Sequence, residues 1–114
     1  MPFPPNATSI IASGCDFKDG RLRARDIPPG LVHLNLSFCN LKSLPRLPAT
    51  LRTLDVSCTN LDSVENLPDG LAWLSVAGVD PCNWLWLPMN LAHLDISYCD
   101  RHLVTELFLE GLEV

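Results

Sequence analysis

Leu31, Leu51, Leu71 and Leu91 are spaced by twenty residues, and the same interval carries Leu34, Leu54, Leu74 and Leu94, then Leu36, Val56, Val76 and Ile96. Further along each unit come Leu44, Val64 and Trp84, and then the pairs Ile27-Pro28, Leu47-Pro48, Leu67-Pro68 and Leu87-Pro88. A repeat this short constrains the chain more than any other feature. One such unit buries too little apolar surface to offset the conformational entropy of ordering it, so copies must stack, each completing the core of its neighbour. The result is a solenoid, which presents extended surfaces rather than an enclosed pocket.

Each unit reads L-x-x-L-x-[LVI]-[SA] and then, after a polar stretch, [LVW]-x-x-[IL]-P. Alternation in Leu34-Asn35-Leu36 and Leu54-Asp55-Val56 has period two and predicts a short strand with one buried face. The proline-rich second half has neither the length nor the 3.6-residue period of a helix and predicts an extended, polyproline-like return on the opposite side. Upstream, Ile10, Ala12, Cys15 and Phe17 occupy the positions of Leu34, Leu36, Cys39 and Leu41 at a spacing of twenty-four, which predicts an atypical first unit with an insertion near residues 21–26.

This pattern resembles the leucine-rich repeat, firmly over residues 31–103 and more weakly over residues 7–30. Its short unit and recurrent Leu-Pro are similar to the bacterial subtype found in secreted effectors of the YopM and IpaH type. The resemblance implies an α/β-class solenoid that is in practice mostly β, right-handed, with a parallel concave sheet of four to five strands and extended convex returns. It also implies a bacterial effector or adaptor that engages a protein of another cell. The sequence departs from the pattern at position nine, where the usual asparagine is replaced by Cys39, Thr59, Val79 and Cys99, and at Pro81 and Arg101, which stand where Leu41 and Leu61 stand earlier. The expected organisation is an N-terminal cap and atypical first repeat over residues 1–30, regular repeats over 31–102, and a C-terminal cap or incomplete repeat over 103–114.

Net charge is −5, and the basic residues form no cluster beyond Arg21, Arg23 and Arg25, which argues against nucleic-acid binding. The sequence contains no apolar run long enough for a membrane-spanning helix. Residues Met1 to Pro5 lack the regions of a cleaved signal peptide, so the expected location is the cytoplasm, or a host cell reached without such a peptide. Of the five cysteines, Cys15, Cys39 and Cys99 share one repeat position and are expected to line the inner turn as free thiols; Cys58 is expected partly exposed on the strand side. Asn35-Leu36-Ser37 matches the glycosylation triplet, but a place inside a strand argues against modification.

Stacking places Ser9, His33, Thr53, Trp73 and His93 in one outward column, Ile11, Asn35, Asp55, Ser75 and Asp95 in a second, and Gly14, Phe38, Cys58, Gly78 and Tyr98 in a third. A metal site is not expected: His33 and His93 would lie about 14 Å apart at a strand spacing of about 4.8 Å, whereas ligands must converge within about 2–2.6 Å of the ion. Ser37 and His33, about 13 Å apart along one strand, cannot form a nucleophile–base pair. Proteins of the IpaH type carry a ligase domain after the repeats, and none of it lies within these residues. The chain is therefore expected to be non-catalytic, with no cofactor. The expected partner-binding residues are His33, Asn35, Phe38, Arg52, Asp55, Trp73, His93, Asp95 and Tyr98, because aromatic and arginine side chains are enriched among binding hot spots. Trp84 falls in a core column and Trp86 in an exposed convex one. Two alternatives stand beside protein recognition: self-assembly through strand edges, the C-terminal edge in particular, and a remnant of a larger effector.

Overall fold

A computed structural model of the chain describes residues 3–62, 64, 67–79, 88 and 91–98. Among these, five short strands form one parallel sheet in chain order: β1 (Ser9–Ile11), β2 (His33–Asn35), β3 (Thr53–Asp55), β4 (Trp73–Ser75) and β5 (His93–Asp95). Ile10, Leu34, Leu54, Leu74 and Leu94 pair across the sheet at its centre, with the two flanking columns in the order that the repeat predicts. The twenty-four-residue offset of the first unit appears in the pairing of Ser9 with His33. Its extra residues lie in two 3-10 turns, Lys18–Gly20 and Ala24–Asp26, and isolated bridges from Asp16 to Asn40 and from Arg21 to Ser43 hold the unit beside the next.

Backbone hydrogen bonds between units repeat with the sequence. The carbonyl of Val32 accepts from the N–H groups of Arg52 and Thr53 at 2.8 and 3.1 Å, and Thr8, Arg52 and Ala72 accept in the same way from the following unit. Below this ladder, Leu31, Leu51, Leu71, Leu36, Val56 and Val76 are fully buried beside Leu54 and Leu74. Leu41, Leu61 and Val64 close the same core, while Leu44 and Leu67 pack against it half-buried.

The strands are shorter than the alternation suggests, for a local reason. In several units the residue at position nine donates its N–H to the carbonyl of position six, as Cys39 does to Leu36 at 3.3 Å and Val79 to Val76 at 2.9 Å. Position eight is therefore the third residue of a tight turn, and in every described unit it has positive φ: Gly14 (75°), Phe38 (60°), Cys58 (54°), Gly78 (74°) and Tyr98 (62°). A positive φ at that place is the mark of a type II turn. The third column, expected on the sheet face, instead runs along the rim where the strands end.

Each proline also begins a turn. The carbonyls of Pro28, Pro48, Pro68 and Pro88 accept the N–H groups of Leu31, Leu51, Leu71 and Leu91 at 3.1–3.3 Å, returning the chain to the next strand. Residues 44–48 leading into one such turn carry no regular secondary structure. Cys39 is buried as expected, beneath the turn of the preceding unit where its thiol meets the Ala12 carbonyl, but Cys15 is exposed. Cys15, Cys39 and Cys58 are all free thiols, and Cys58 is exposed. The readings made for Pro81, Cys82, Trp84, Trp86, Leu87, Cys99, Arg101 and residues 103–114, including self-association at the C-terminal edge, fall outside the described residues. No helix among the described residues is long and apolar enough to cross a membrane.

The rim geometry yields a stability test. A Cβ at Gly78 would sit 3.4 Å from Cys58 Sγ on a backbone at φ 74°, whereas one at Gly30 would meet nothing within 4 Å at an ordinary φ. Gly78→Ala is expected to lower the unfolding free energy by about 1–2 kcal/mol. Gly30→Ala should be neutral or stabilising by up to about 1 kcal/mol. Urea denaturation of both variants reads the difference, and equal responses would contradict the left-handed turn.

Candidate functional site

The outward side of the sheet is built from strand positions three and five. Ser9, Ile11, His33, Asn35, Thr53, Asp55 and Trp73 line one shallow depression of about 250 Å³ across β1 to β4. Four of the residues expected to bind a partner, His33, Asn35, Asp55 and Trp73, thus share one site. In the first column His33 Nδ1 and Thr53 Oγ1 are hydrogen-bonded at 2.8 Å, the imidazole tautomer deciding which donates. The Trp73 and His93 rings stack at 5.5 Å between centroids and 10° between planes. Side chains at equal register therefore couple one unit to the next.

The polar second column also has a structural task. Asn35 Oδ1 accepts the N–H of Ser37 at 2.9 Å. Asp55 Oδ1 accepts the N–H and the hydroxyl of Ser57 at 2.9 and 2.6 Å, and Asp95 Oδ1 accepts both from Ser97 at 2.9 and 2.7 Å. These Asx turns close β2, β3 and β5 and lead the chain into the left-handed rim residue. The triplet Asn35-Leu36-Ser37 is one of them, so what reads as a glycosylation signal is turn chemistry. Asp95 is held below its ordinary value of 3.8, first by the Ser97 backbone N–H and then by the Ser97 hydroxyl. Partial burial opposes the shift, and the Ser75 hydroxyl and nearby His93 add to it.

Phe38 and Tyr98 lie outside the depression on the rim and are 69% and 91% exposed. Arg52 does not join the group. Its guanidinium donates to the carbonyls of Ala49 and Leu51 at 3.1 and 3.2 Å and lies against Gly70, where a Cβ would collide with it. Ile11, 79% exposed at the edge of the depression, was not among the expected binding residues. Its place in the column of Asn35 and Asp55 was the available signal.

A second unrecognised column is position ten. Asn40 Nδ2 donates to Asp16 Oδ1 at 2.9 Å, Asn60 Nδ2 to Asn40 Oδ1 at 3.4 Å, and Asn60 Oδ1 accepts the N–H of Leu41 at 2.8 Å. The asparagine ladder absent from position nine stands one residue later. Position nine still serves the turn: Thr59 Oγ1 donates to the Val56 carbonyl at 2.8 Å, and Cys39 Sγ to the Ala12 carbonyl at 3.0 Å. Burial raises the Cys39 pKa above its ordinary value, opposed by hydrogen bonds from the Cys15 and Gly14 backbone, so this thiol is held neutral.

A larger groove of about 610 Å³ runs over the proline corners, lined among others by Ile27, Arg46, Pro48, Leu67 and Asp69. Among the described residues no aromatic ring lines it, and size alone is weaker support for recognition than the aromatic and charged groups of the sheet face.

Residues 30–49 match the family model described as Leucine Rich Repeat. That span is one unit of the register shared by β2 to β5. The mostly parallel-stranded fold is that of a leucine-rich-repeat solenoid. No curated protein and no solved structure matches the chain.

The Asp95 turn predicts a titration. Because its folded-state pKa is depressed, Asp95 contributes stability that is present above about pH 4 and lost as pH falls through the folded value. A carboxyl NMR titration should place Asp95 below 3.8 and move it upward in Ser97→Ala. A value at or above 3.8 in the wild type would contradict the turn geometry.

Proposed function

We propose that this chain is a non-catalytic protein-recognition module that holds a protein partner against the concave sheet face and its rim. One observation carries the reading. Phe38 and Tyr98 are large, exposed aromatic residues in a left-handed conformation that costs an L-residue about 1–2 kcal/mol. The same position holds glycine in the first and fourth turns of the sheet, at Gly14 and Gly78. The fold does not require a side chain there, and the aromatic rings return little burial for the strain they impose. Strained, exposed residues of this kind point to a role outside folding. Beside them, Trp73, His93 and Ile11 provide rigid apolar surface, and the depression supplies hydrogen-bonding groups.

A leucine-rich-repeat solenoid suits the task, since stacking presents one continuous surface with little mobile chain to order on binding. The resemblance to repeats of secreted bacterial effectors favours a host-cell protein as partner.

Affinity capture with the purified chain, read by mass spectrometry, tests the proposal. The wild type is expected to recover a protein that Phe38→Ala/Trp73→Ala does not, with circular dichroism confirming that the variant keeps its sheet. Recovery of the same proteins by both forms would place recognition elsewhere. Recovery of the chain alone would favour self-assembly.

A further inference from the structure

The depression on the sheet face combines two groups that favour the same kind of ligand. Trp73 presents an indole whose ring is stacked on His93. Asp55 presents a carboxylate whose Oδ1 is used by the Ser57 turn. Asp55 pairs in register with Ser75, and Thr53 with Trp73, so the two are diagonal neighbours on adjacent strands. A strand spacing of about 4.8 Å and a rise of about 3.3 Å per residue put their backbones about 8 Å apart. That span suits a cationic side chain, which can lie over an indole face within about 6 Å of the ring and direct an N–H group to a carboxylate.

The charge of the surface agrees. The chain carries −5 overall, and the outward columns contribute Asp55 and Asp95 but no lysine or arginine. Among the described residues, the guanidinium of Arg52 is occupied by the carbonyls of its own turn. An anionic ligand would meet the Asp55 carboxylate here, whereas a cationic one meets that carboxylate together with an aromatic ring and hydrogen-bond acceptors at Asn35 and Thr53. Ile11, mostly exposed on the same depression, adds an apolar shoulder.

We infer that the partner presents an arginine or lysine side chain to the Trp73–Asp55 depression, flanked by an apolar residue that rests on Ile11. The inference rests on the recognition reading above and adds the chemistry of the segment recognised. Asp55 supplies the charge, Trp73 the ring and Ile11 the apolar contact.

The test sorts a random dodecapeptide library on the full chain, on Phe38→Ala/Trp73→Ala and on Asp55→Asn. Asparagine at position 55 preserves the turn, because Asn35 makes the equivalent bond to Ser37 at 2.9 Å in the neighbouring unit. Equal denaturation midpoints would confirm that the fold is kept. Peptides that bind the wild type and not the double variant are expected to be enriched in arginine and lysine over the unsorted library. Their affinity should fall at least about fivefold in Asp55→Asn, and fall again as salt rises from about 0.05 to 0.5 M. Face-dependent peptides that are neutral or acidic, or that bind Asp55→Asn equally, would overturn the cationic inference and leave the recognition reading standing. Finding no face-dependent peptide would overturn both.

Discussion

Everything in this molecule depends on a parallel backbone ladder held at one fixed register. Once Leu34, Leu54, Leu74 and Leu94 are aligned, each turn of the chain must leave its strand at the same place and return at the same place. Departure is achieved by a left-handed residue at position eight, preceded in three of the units by an Asx turn at position five, and return by a turn that starts on proline. Among the described residues no buried side-chain nitrogen or oxygen lacks a hydrogen-bond partner. The polar residues of the repeat are thus as much a part of the architecture as its leucines.

That accounting separates residues that build the solenoid from those that do not. Asn35, Asp55 and Asp95 serve twice, closing a strand with one oxygen while facing outward beside the aromatic column. Arg52 is spent on its own turn. Phe38, Tyr98 and Ile11 satisfy no structural demand, since the first two occupy a conformation that glycine adopts without strain and the third leaves an apolar side chain in solvent. Their surplus is the physical content of the recognition proposal.

Much of the fold was legible because stacking converts a sequence column into a spatial one. The strand columns, the buried leucines and the offset of the first unit all follow from the twenty-residue interval. The rim was not legible, because Phe38 and Tyr98 are improbable choices for positive φ and alternation continues through them on paper. Glycine at 14 and 78 in the same column was the clue. The asparagine ladder was missed because it stands at position ten, at Asp16, Asn40 and Asn60, rather than at the family's usual ninth. Exposure of Cys15 differs from the burial of Cys39 in the same column, so the column alone does not encode it. Clustering of His33, Asn35, Asp55 and Trp73 was readable, whereas the inward fold of Arg52 depends on side-chain geometry over Gly70.

The central claim is that the rim aromatics serve a partner and not the fold. Replacing both with the residue their neighbours use, in Phe38→Gly/Tyr98→Gly, tests it with two readouts on one protein. The unfolding free energy is expected to fall by no more than about 1 kcal/mol, because relief of left-handed strain offsets both the small burial lost and the backbone entropy that glycine adds to the unfolded chain. The account also predicts loss of the partner recovered by the wild type. A variant that unfolds readily, or one that keeps its stability and still binds, would contradict the account.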